Sequence, residues 1–406
     1  MENNNGQRIY KLIMLIFLVI IITSLITAFT TYQYLDGTNY TIISPKVDTS
    51  SLNGLEYTLA NFRSELEKKY IGEIKDEELI EGAIKGYVNA LGDPYTTYYT
   101  KEEMKEIMEQ TNGNYVGIGI YMTLDVEKNA ILIIKPIENS PAEKAGLKSG
   151  DYITKVNDVE YTGAQLEEAS NKIKGEEGTE VKLEIYSNGE TKTITVKREK
   201  VIISHITTKV LSNNIGYIAI SDFEGGCAEE FERKYKELEK KGIEKLIIDI
   251  RNNGGGIVDE CLEIADLIVD KGSTLLITKD KNENEIRTKA KKDPIINMPI
   301  VVLTNEYSAS ASEILASALS ENKKATLVGT KTYGKGIIQE LHQLTDGSGL
   351  KITTNEYFTP NYNAIHKIGI TPDVEVELSE DAKTQSTLNE KDDNQLQKAI
   401  EVLEEN

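Results

Sequence analysis

Two short stretches hold the residues with chemistry to offer. Ser308-Ala-Ser-Ala-Ser-Glu313 supplies serine hydroxyls, and Gly334-Lys-Gly-Ile-Ile-Gln339 supplies a lysine between glycines with a glutamine beyond it. A serine hydroxyl is a poor nucleophile until a base removes its proton. The chain has 3 histidines, none in a hydrolase-like motif, so lysine is the base on offer. A Ser-Lys pair is a known variant of the serine-hydrolase arrangement.

Serines commonly cap helix starts, and that use suits Ser308 and Ser312. Ser310 is the candidate nucleophile. An apolar strand ending at Thr304 precedes it and a helix follows, which is where α/β sheets place ligands. Lys335 must be neutral to act as a base. A model lysine titrates near ~10.4, and burial can lower that by up to ~3–5 units. Its flanking glycines allow close backbone approach, although a solvated surface position is the usual fate of lysine. If Ile337 and Ile338 lie in a strand, Gln339 faces the same side as Lys335. Its amide oxygen would then accept from the lysine and aim it at Ser310; a solvated strand glutamine is the equal alternative. Gly254-Gly-Gly256 reads either as a plain strand–helix turn or as a source of N–H groups for an oxyanion.

The elements around these stretches fall into three textures. From Leu52 to about Thr111 the pattern is helical, with Leu55, Leu59, Phe62 and Leu66 on one face. Asp76 is the predicted cap of a second helix, Gly92-Asp-Pro94 ends it, and Thr100-Lys-Glu-Glu103 is a capping box. Residues 113–198 read as a compact mixed module. It has strands at 115–120 and 130–134, a short helix over Ser140-Pro-Ala-Glu-Lys-Ala-Gly146, a helix over 165–174, and a hairpin around Ser187-Asn-Gly189. From Ile215 strands (215–220, 245–250, 300–304) alternate with helices (227–241, 261–269, 310–320). That alternation predicts an α/β domain with a largely parallel sheet. The last residues are polar, with one short helix over 395–403.

Acidic residues number 66 and basic ones 46, a net charge of -20. This argues against nucleic acid or an anionic membrane surface as the main partner. Cys227 and Cys261 lack metal-ligand spacing; two free thiols is the preferred reading, with a disulfide left open. Residues 12–35 contain no charge, and a bilayer-spanning helix needs about 20 apolar residues. No A-x-A-like site follows, so an uncleaved anchor is expected. Arg8 and Lys11 precede the run and Asp36 follows it. The positive-inside bias then leaves a short tail in the cytoplasm and exports the rest, where chemistry must run without ATP.

Taken together, the motifs resemble the carboxy-terminal processing peptidases, or tail-specific proteases, over residues 55 to 403. Gly82-Ala-Ile-Lys-Gly86 and Leu91-Gly-Asp-Pro-Tyr95 resemble the family's helical N-terminal segment. Gly117-Ile-Gly-Ile120, Ser140–Gly146 and Gly150-Asp151 resemble its PDZ domain. Asp249-Ile-Arg-Asn-Asn-Gly-Gly-Gly256, Ser308–Glu313, Thr332-Tyr-Gly-Lys-Gly336 and Gly369-Ile-Thr-Pro-Asp373 resemble its protease core. The resemblance implies Ser310 as nucleophile, Lys335 as general base and Gln339 as the residue orienting it. It implies one oxyanion donor from Gly255 or Gly256 and another from Ala311. Gly117, Ile118, Gly119 and Ile120 would cradle the carboxylate of a peptide added as a strand. Where some relatives carry an assisting Asp, this chain has Glu321.

The resulting expectation is an α/β protease core with a mixed, partly parallel sheet (199–378), an inserted PDZ-like α+β domain (113–198) and a helical N-terminal segment (52–112). A cytoplasmic tail (1–11), a transmembrane anchor (12–35), a tether (36–51) and a polar C-terminal tail (379–406) complete it. The expected function is a membrane-anchored, extracytoplasmic serine endopeptidase acting on polypeptides with apolar C-termini, without metal or other cofactor. By family analogy, the helical segment and the 395–403 helix suit a homodimer. Two alternatives stand beside it: a catalytically silent PDZ scaffold, and a Ser-Lys acyl hydrolase or transferase on a non-peptide substrate.

Overall fold

The computed structural model describes Met14 and residues 21–27, 52–111, 115–383 and 389–405. Met14 and residues 21–27 are helical; the rest of the predicted anchor 12–35, and the tether up to residue 51, lie outside the described residues. Among the described residues, no helix is long and apolar enough to cross a membrane. The chain divides into two compact units after Ile80. In the first, Leu52–Lys69 (α1) leaves Leu55, Leu59, Phe62 and Leu66 exposed along one face. Asp76–Asn89 (α2) starts there with Asp76, Glu77 and Glu78 in its first turn, which suits the helix dipole.

The second unit continues with Thr97–Tyr99 (β1) and Lys101–Thr111 (α3). Thr100 and Glu103 start α3 with reciprocal capping bonds. A small antiparallel domain follows. Its strands are Tyr115–Gly117 (β2), Ile120–Asp125 (β3), Ala130–Pro136 (β4), Tyr152–Val156 (β5), Val159–Glu160 (β6), Glu180–Ser187 (β7), Glu190–Lys197 (β8) and Glu199–Val201 (β9). Its helices are Pro141–Lys144 (α4) and Leu166–Ile173 (α5). The main path runs β3-β4-β5-β7-β8 and leaves β3 at an edge. Ile131, Ile133, Ile153, Leu183 and Ile185 form its core with Ala169 and Ile173 of α5. The single strand expected over 115–120 is broken in two. Gly119 has φ +76, and a Cβ there would lie 2.4 Å from Ser140 Cβ. The chain turns at this glycine from β2, paired with β9, into β3, paired with β4.

The larger domain comprises strands Ile206–Val210 (β10), Ile215–Ile220 (β11), Lys245–Asp249 (β12), Thr274–Asp280 (β13), Glu285–Lys289 (β14), Ile300–Thr304 (β15), Ala325–Gly329 (β16), Ile337–Gln343 (β17), Gly349–Phe358 (β18) and Val374–Glu375 (β19). Its helices are Cys227–Glu239 (α6), Val258–Asp266 (α7), Ala311–Glu321 (α8), Glu380–Lys383 (α9) and Asn394–Glu405 (α10). One sheet runs β10-β11-β12-β15-β16-β19 and is parallel except at β10. Its strands are apolar on both faces, as a covered parallel sheet requires. Leu246, Ile248 and Val302 share a core with residues of α6, α7 and α8, while Ile247, Val301 and Leu303 meet Leu396, Ile400 and Leu403 of α10. The segment expected as a polar tail therefore supplies a layer of the core. The apolar face of α10 is packed within the chain. A second sheet, β1-β18-β13-β14 with β17 also on β18, is antiparallel throughout and was not foreseen from the alternation. Cys227 and Cys261 are buried free thiols.

Candidate active site

The turn that carries Ser310 lies where two neighbouring parallel strands end. β12 leads into Asn253–Gly256 and β15 into Ser308–Ser312. The outer serines are structural. The Ser308 hydroxyl donates to Ile250 O at 2.8 Å, and the Ser312 hydroxyl donates to Asn253 O at 2.9 Å. Both are fully buried. Ser310 stands apart: it is only partly buried and its φ is 56°. A non-glycine residue persists in such a conformation only where its surroundings over-determine it. Here Asn253 helps to do so, its carbonyl accepting from Ala309 N at 3.0 Å and from the Ser312 hydroxyl.

One buried carboxylate joins the two halves of the site. Glu313 Oε2 accepts from Ser310 N at 2.9 Å and from Lys335 N at 2.8 Å. Its Oε1 accepts from Gly334 N at 2.7 Å and from the Thr332 hydroxyl at 2.5 Å. Glu313 is wholly buried, and four donors are what a charge in that position needs. Sequence reasoning assigned it no role, although Ser310-x-x-Glu313 spells a capping box. Tyr357 was also missed. Its buried hydroxyl donates to Lys335 O, and its N–H donates to Gly336 O at 3.0 Å. Burial pushes this phenol well above its ordinary value, with the Ser310 hydroxyl opposing the shift.

The backbones of Ser310 and Lys335 are thus brought together, but the Lys335 amine is turned elsewhere. Its Nζ lies 4.6 Å from the centroid of the Tyr95 ring. Among the described residues, no hydrogen bond joins it to Ser310 or Gln339. Burial lowers the Lys335 pKa, and the nearby Lys351 charge lowers it further against Asp93 and Glu313. Gln339 points its amide nitrogen at Ile337 O and the Thr353 hydroxyl, 3.4 Å from each. Ile337 and Ile338 do lie in a strand, but it begins at Ile337 and Lys335 precedes it, so the even spacing does not carry over to the lysine. Glu321 accepts from Asn361 N and from the Asn363 amide at 2.6 and 2.9 Å, bonds that hold a loop.

Of the glycines, Gly255 packs closest to Ser310: a Cβ there would lie 2.8 Å from Ser310 Cβ. Its N–H is already given to Asn253 Oδ1 at 2.8 Å. Among the described residues, the N–H groups of Gly256 and Ala311 have no acceptor. In the smaller domain, the carbonyls of Ile118 and Gly119 accept from Ala142 N and Ile137 N. Their N–H groups have no acceptor among the described residues, next to the free edge of β3. That is the arrangement a terminal carboxylate and an added strand would use.

Comparison with known proteins identifies the domains. Peptidase family S41 matches residues 214–376, PDZ domain matches 116–197, and Activating protease CtpB N-terminal domain matches 40–103. The chain is 35% identical over 379 residues to the carboxy-terminal processing protease CtpA of Bacillus subtilis (strain 168), covering 93% of this chain and 79% of that one. It is 35% identical over 389 residues to a "Probable CtpA-like serine protease" of Staphylococcus aureus (strain COL), covering 93% and 75%. In fold it is similar to an S41 protease candidate of known structure from Bacteroides fragilis NCTC 9343, with TM-score 0.53, 16% identity, and 83% and 91% of the two chains covered. The chain belongs to peptidase family S41, as a PDZ-containing serine-type peptidase of the carboxy-terminal processing group.

Proposed function

We propose that this peptidase takes the free, apolar C-terminus of a polypeptide in its PDZ domain and cleaves the chain with Ser310, Lys335 and Gln339. The observation that carries the reading is the Glu313 clasp, which ties the Ser310 and Lys335 backbones to one carboxylate. In the proposed reaction Ser310 Oγ attacks the scissile carbonyl and its proton passes to the neutral Lys335 amine. The N–H groups of Gly256 and Ala311 stabilise the oxyanion. Collapse expels the amine product, which takes the proton back from Lys335. Water, deprotonated by the same amine, then hydrolyses the ester and frees Ser310. Before this, Lys335 leaves the Tyr95 ring, and Gln339 exchanges its present partners for the lysine.

The apolar segment 12–35, with Arg8 and Lys11 before it, supports a single-pass anchor with a cytoplasmic N-terminus and an extracytoplasmic peptidase. The exposed stripe Leu55, Leu59, Phe62 and Leu66 on α1 supports a homodimer formed through the N-terminal segment. The test uses the full chain in detergent with an unfolded protein ending in an apolar tail. Cleavage by the native chain but not by Ser310→Ala is expected, and amidation of the substrate tail should reduce it. Tail binding without cleavage would favour a scaffold. Ester turnover without peptide cleavage would favour another acyl hydrolase.

A further inference from the structure

The peptide groove of the small domain carries an uneven charge pattern. A cavity of about 860 Å³ opens between β3 and α5 and reaches the segment that joins the two domains. Its apolar surface includes Ile120, Met122, Ile137, Leu166 and Ile202. Around this surface stand Glu106, Glu167, Asp222 and Glu224, against Lys174 and His205. His205 and Asp222 are paired at 2.6 Å. Among the described residues, Glu167 and Lys174 have no ion-pair or hydrogen-bond partner for their side chains.

The direction of α5 fixes which end of the groove each charge occupies. Gly163, just before the helix, is packed on Leu124: a Cβ there would lie 2.1 Å from Leu124 Cδ1. The start of α5 therefore lies by the far end of β3. The helix end is held by Arg198, whose Nε and Nη2 donate to Ile173 O and Lys172 O, each at 2.8 Å. Arg198 adjoins Glu199, which pairs with Gly117. Lys174 thus stands at the Gly117–Ile120 end, where the carboxylate of a bound tail would sit, and Glu167 stands toward the upstream end.

The spacing then names a position. Glu167, Ser170, Asn171 and Lys174 all line the cavity, as one helix face should. Glu167 precedes Asn171 by one turn, about 6 Å at ~1.5 Å per residue. Side chains of an added strand return to the same face every second residue, about 6.6 Å apart. A terminal side chain seated by Asn171 and Lys174 therefore places the second residue upstream opposite Glu167.

We propose that Glu167 selects a basic side chain, Lys or Arg, at the second residue upstream of an apolar C-terminus. Lys174 complements the terminal carboxylate in the same tail. This rests on the reading of the PDZ groove as the tail-binding site, and it deepens that reading by naming the chemistry of the tail. Glu106 and Glu224 add to the negative field on the facing walls and favour the same choice.

The test measures fluorescence anisotropy of labelled decapeptides on the full-length Ser310→Ala protein in detergent, so that tails bind without being consumed. The peptides end in Leu and differ only two residues upstream, carrying Lys, Ala or Glu. Lys is expected to bind about fivefold tighter than Ala, and Glu about fivefold weaker, the scale of a part-exposed ion pair. Adding Glu167→Lys should invert the order, and Glu167→Gln should flatten it. Glu167 is exposed, so both substitutions leave the core untouched. Tails that need their free carboxylate but bind equally in all three forms would overturn the Glu167 assignment and leave the tail-capture reading standing. Binding unaffected by tail amidation, or none at all, would overturn both.

Discussion

The Ser310 turn and the Lys335 segment, proposed to supply nucleophile and base, differ in what is fixed. Around Ser310, side chains and backbone are both tied down: Ser308, Ser312, Asn253 and Glu313 spend their polar groups on holding the turn. In the base segment only the backbone is tied down. Glu313 takes the N–H groups of Gly334 and Lys335 and Tyr357 takes the Lys335 carbonyl, while the amine rests on Tyr95. On the proposed reading, the Lys335 side chain must leave the Tyr95 ring to reach Ser310.

The strongest way to break that picture is to remove the shared carboxylate. Glu313→Ala leaves three backbone N–H groups and a hydroxyl without their acceptor, and a buried donor so stranded costs about 1–3 kcal/mol. Urea unfolding should show that loss. Glu313→Gln keeps the shape but turns an amide nitrogen toward backbone donors; it should stay folded and lose at least ~100-fold in kcat, the scale of one misplaced catalytic group. Full activity in Glu313→Gln would mean the clasp does not position the site.

Next comes the candidate oxyanion loop, where Gly254 and Gly256 should behave differently. A Cβ on Gly256 would lie 2.6 Å from Phe223 O, whereas a Cβ on Gly254 meets nothing within 4 Å. Gly256→Ala keeps its N–H but must shift it to clear Phe223, so kcat should fall toward the ~10²–10³-fold loss of an oxyanion donor with little change in KM. Gly254→Ala should leave both near their native values. Equal effects at the two positions would remove Gly256 from the oxyanion reading.

How far the sequence reveals these features depends on how locally each is encoded. The strands Ile215–Ile220 and Ile300–Thr304 stand at the bounds expected of them, because buried parallel strands write themselves as continuous apolar runs. Gly349–Phe358 is mostly half-buried, with polar residues such as Thr353, Thr354 and Asn355 among its ten, so neither a run nor a clean alternation announces it. The placement of Gln339 was argued from a period of two, and that period does not reach Lys335, which precedes the strand beginning at Ile337. Glu313 was visible as a cap, yet its other donors come from Thr332, Gly334 and Lys335, which no local pattern links to it. The Tyr95 ring over Lys335 joins residues remote in sequence and leaves no mark in the spacing of either.

The smallest expected effects concern the amine itself. Burial lowers the Lys335 pKa, and only the neutral amine can accept the Ser310 proton. Peptidase activity should therefore rise with pH through that lowered pKa and then level off, with the rising limb below the ~10.4 of a model lysine. The Tyr95 ring acts the other way. A ring face attracts the ammonium and not the neutral amine, by about 0.5–1 kcal/mol where water has access. It thus favours both the inactive position and the inactive protonation state. Tyr95→Leu removes this preference while keeping an apolar neighbour. It should raise kcat/KM at neutral pH by about 2–5-fold, the same energy expressed as a rate, and move the rising limb toward lower pH. Loss of activity with the limb unmoved would instead make Tyr95 a substrate contact, and would leave the position of the lysine without an energetic reason.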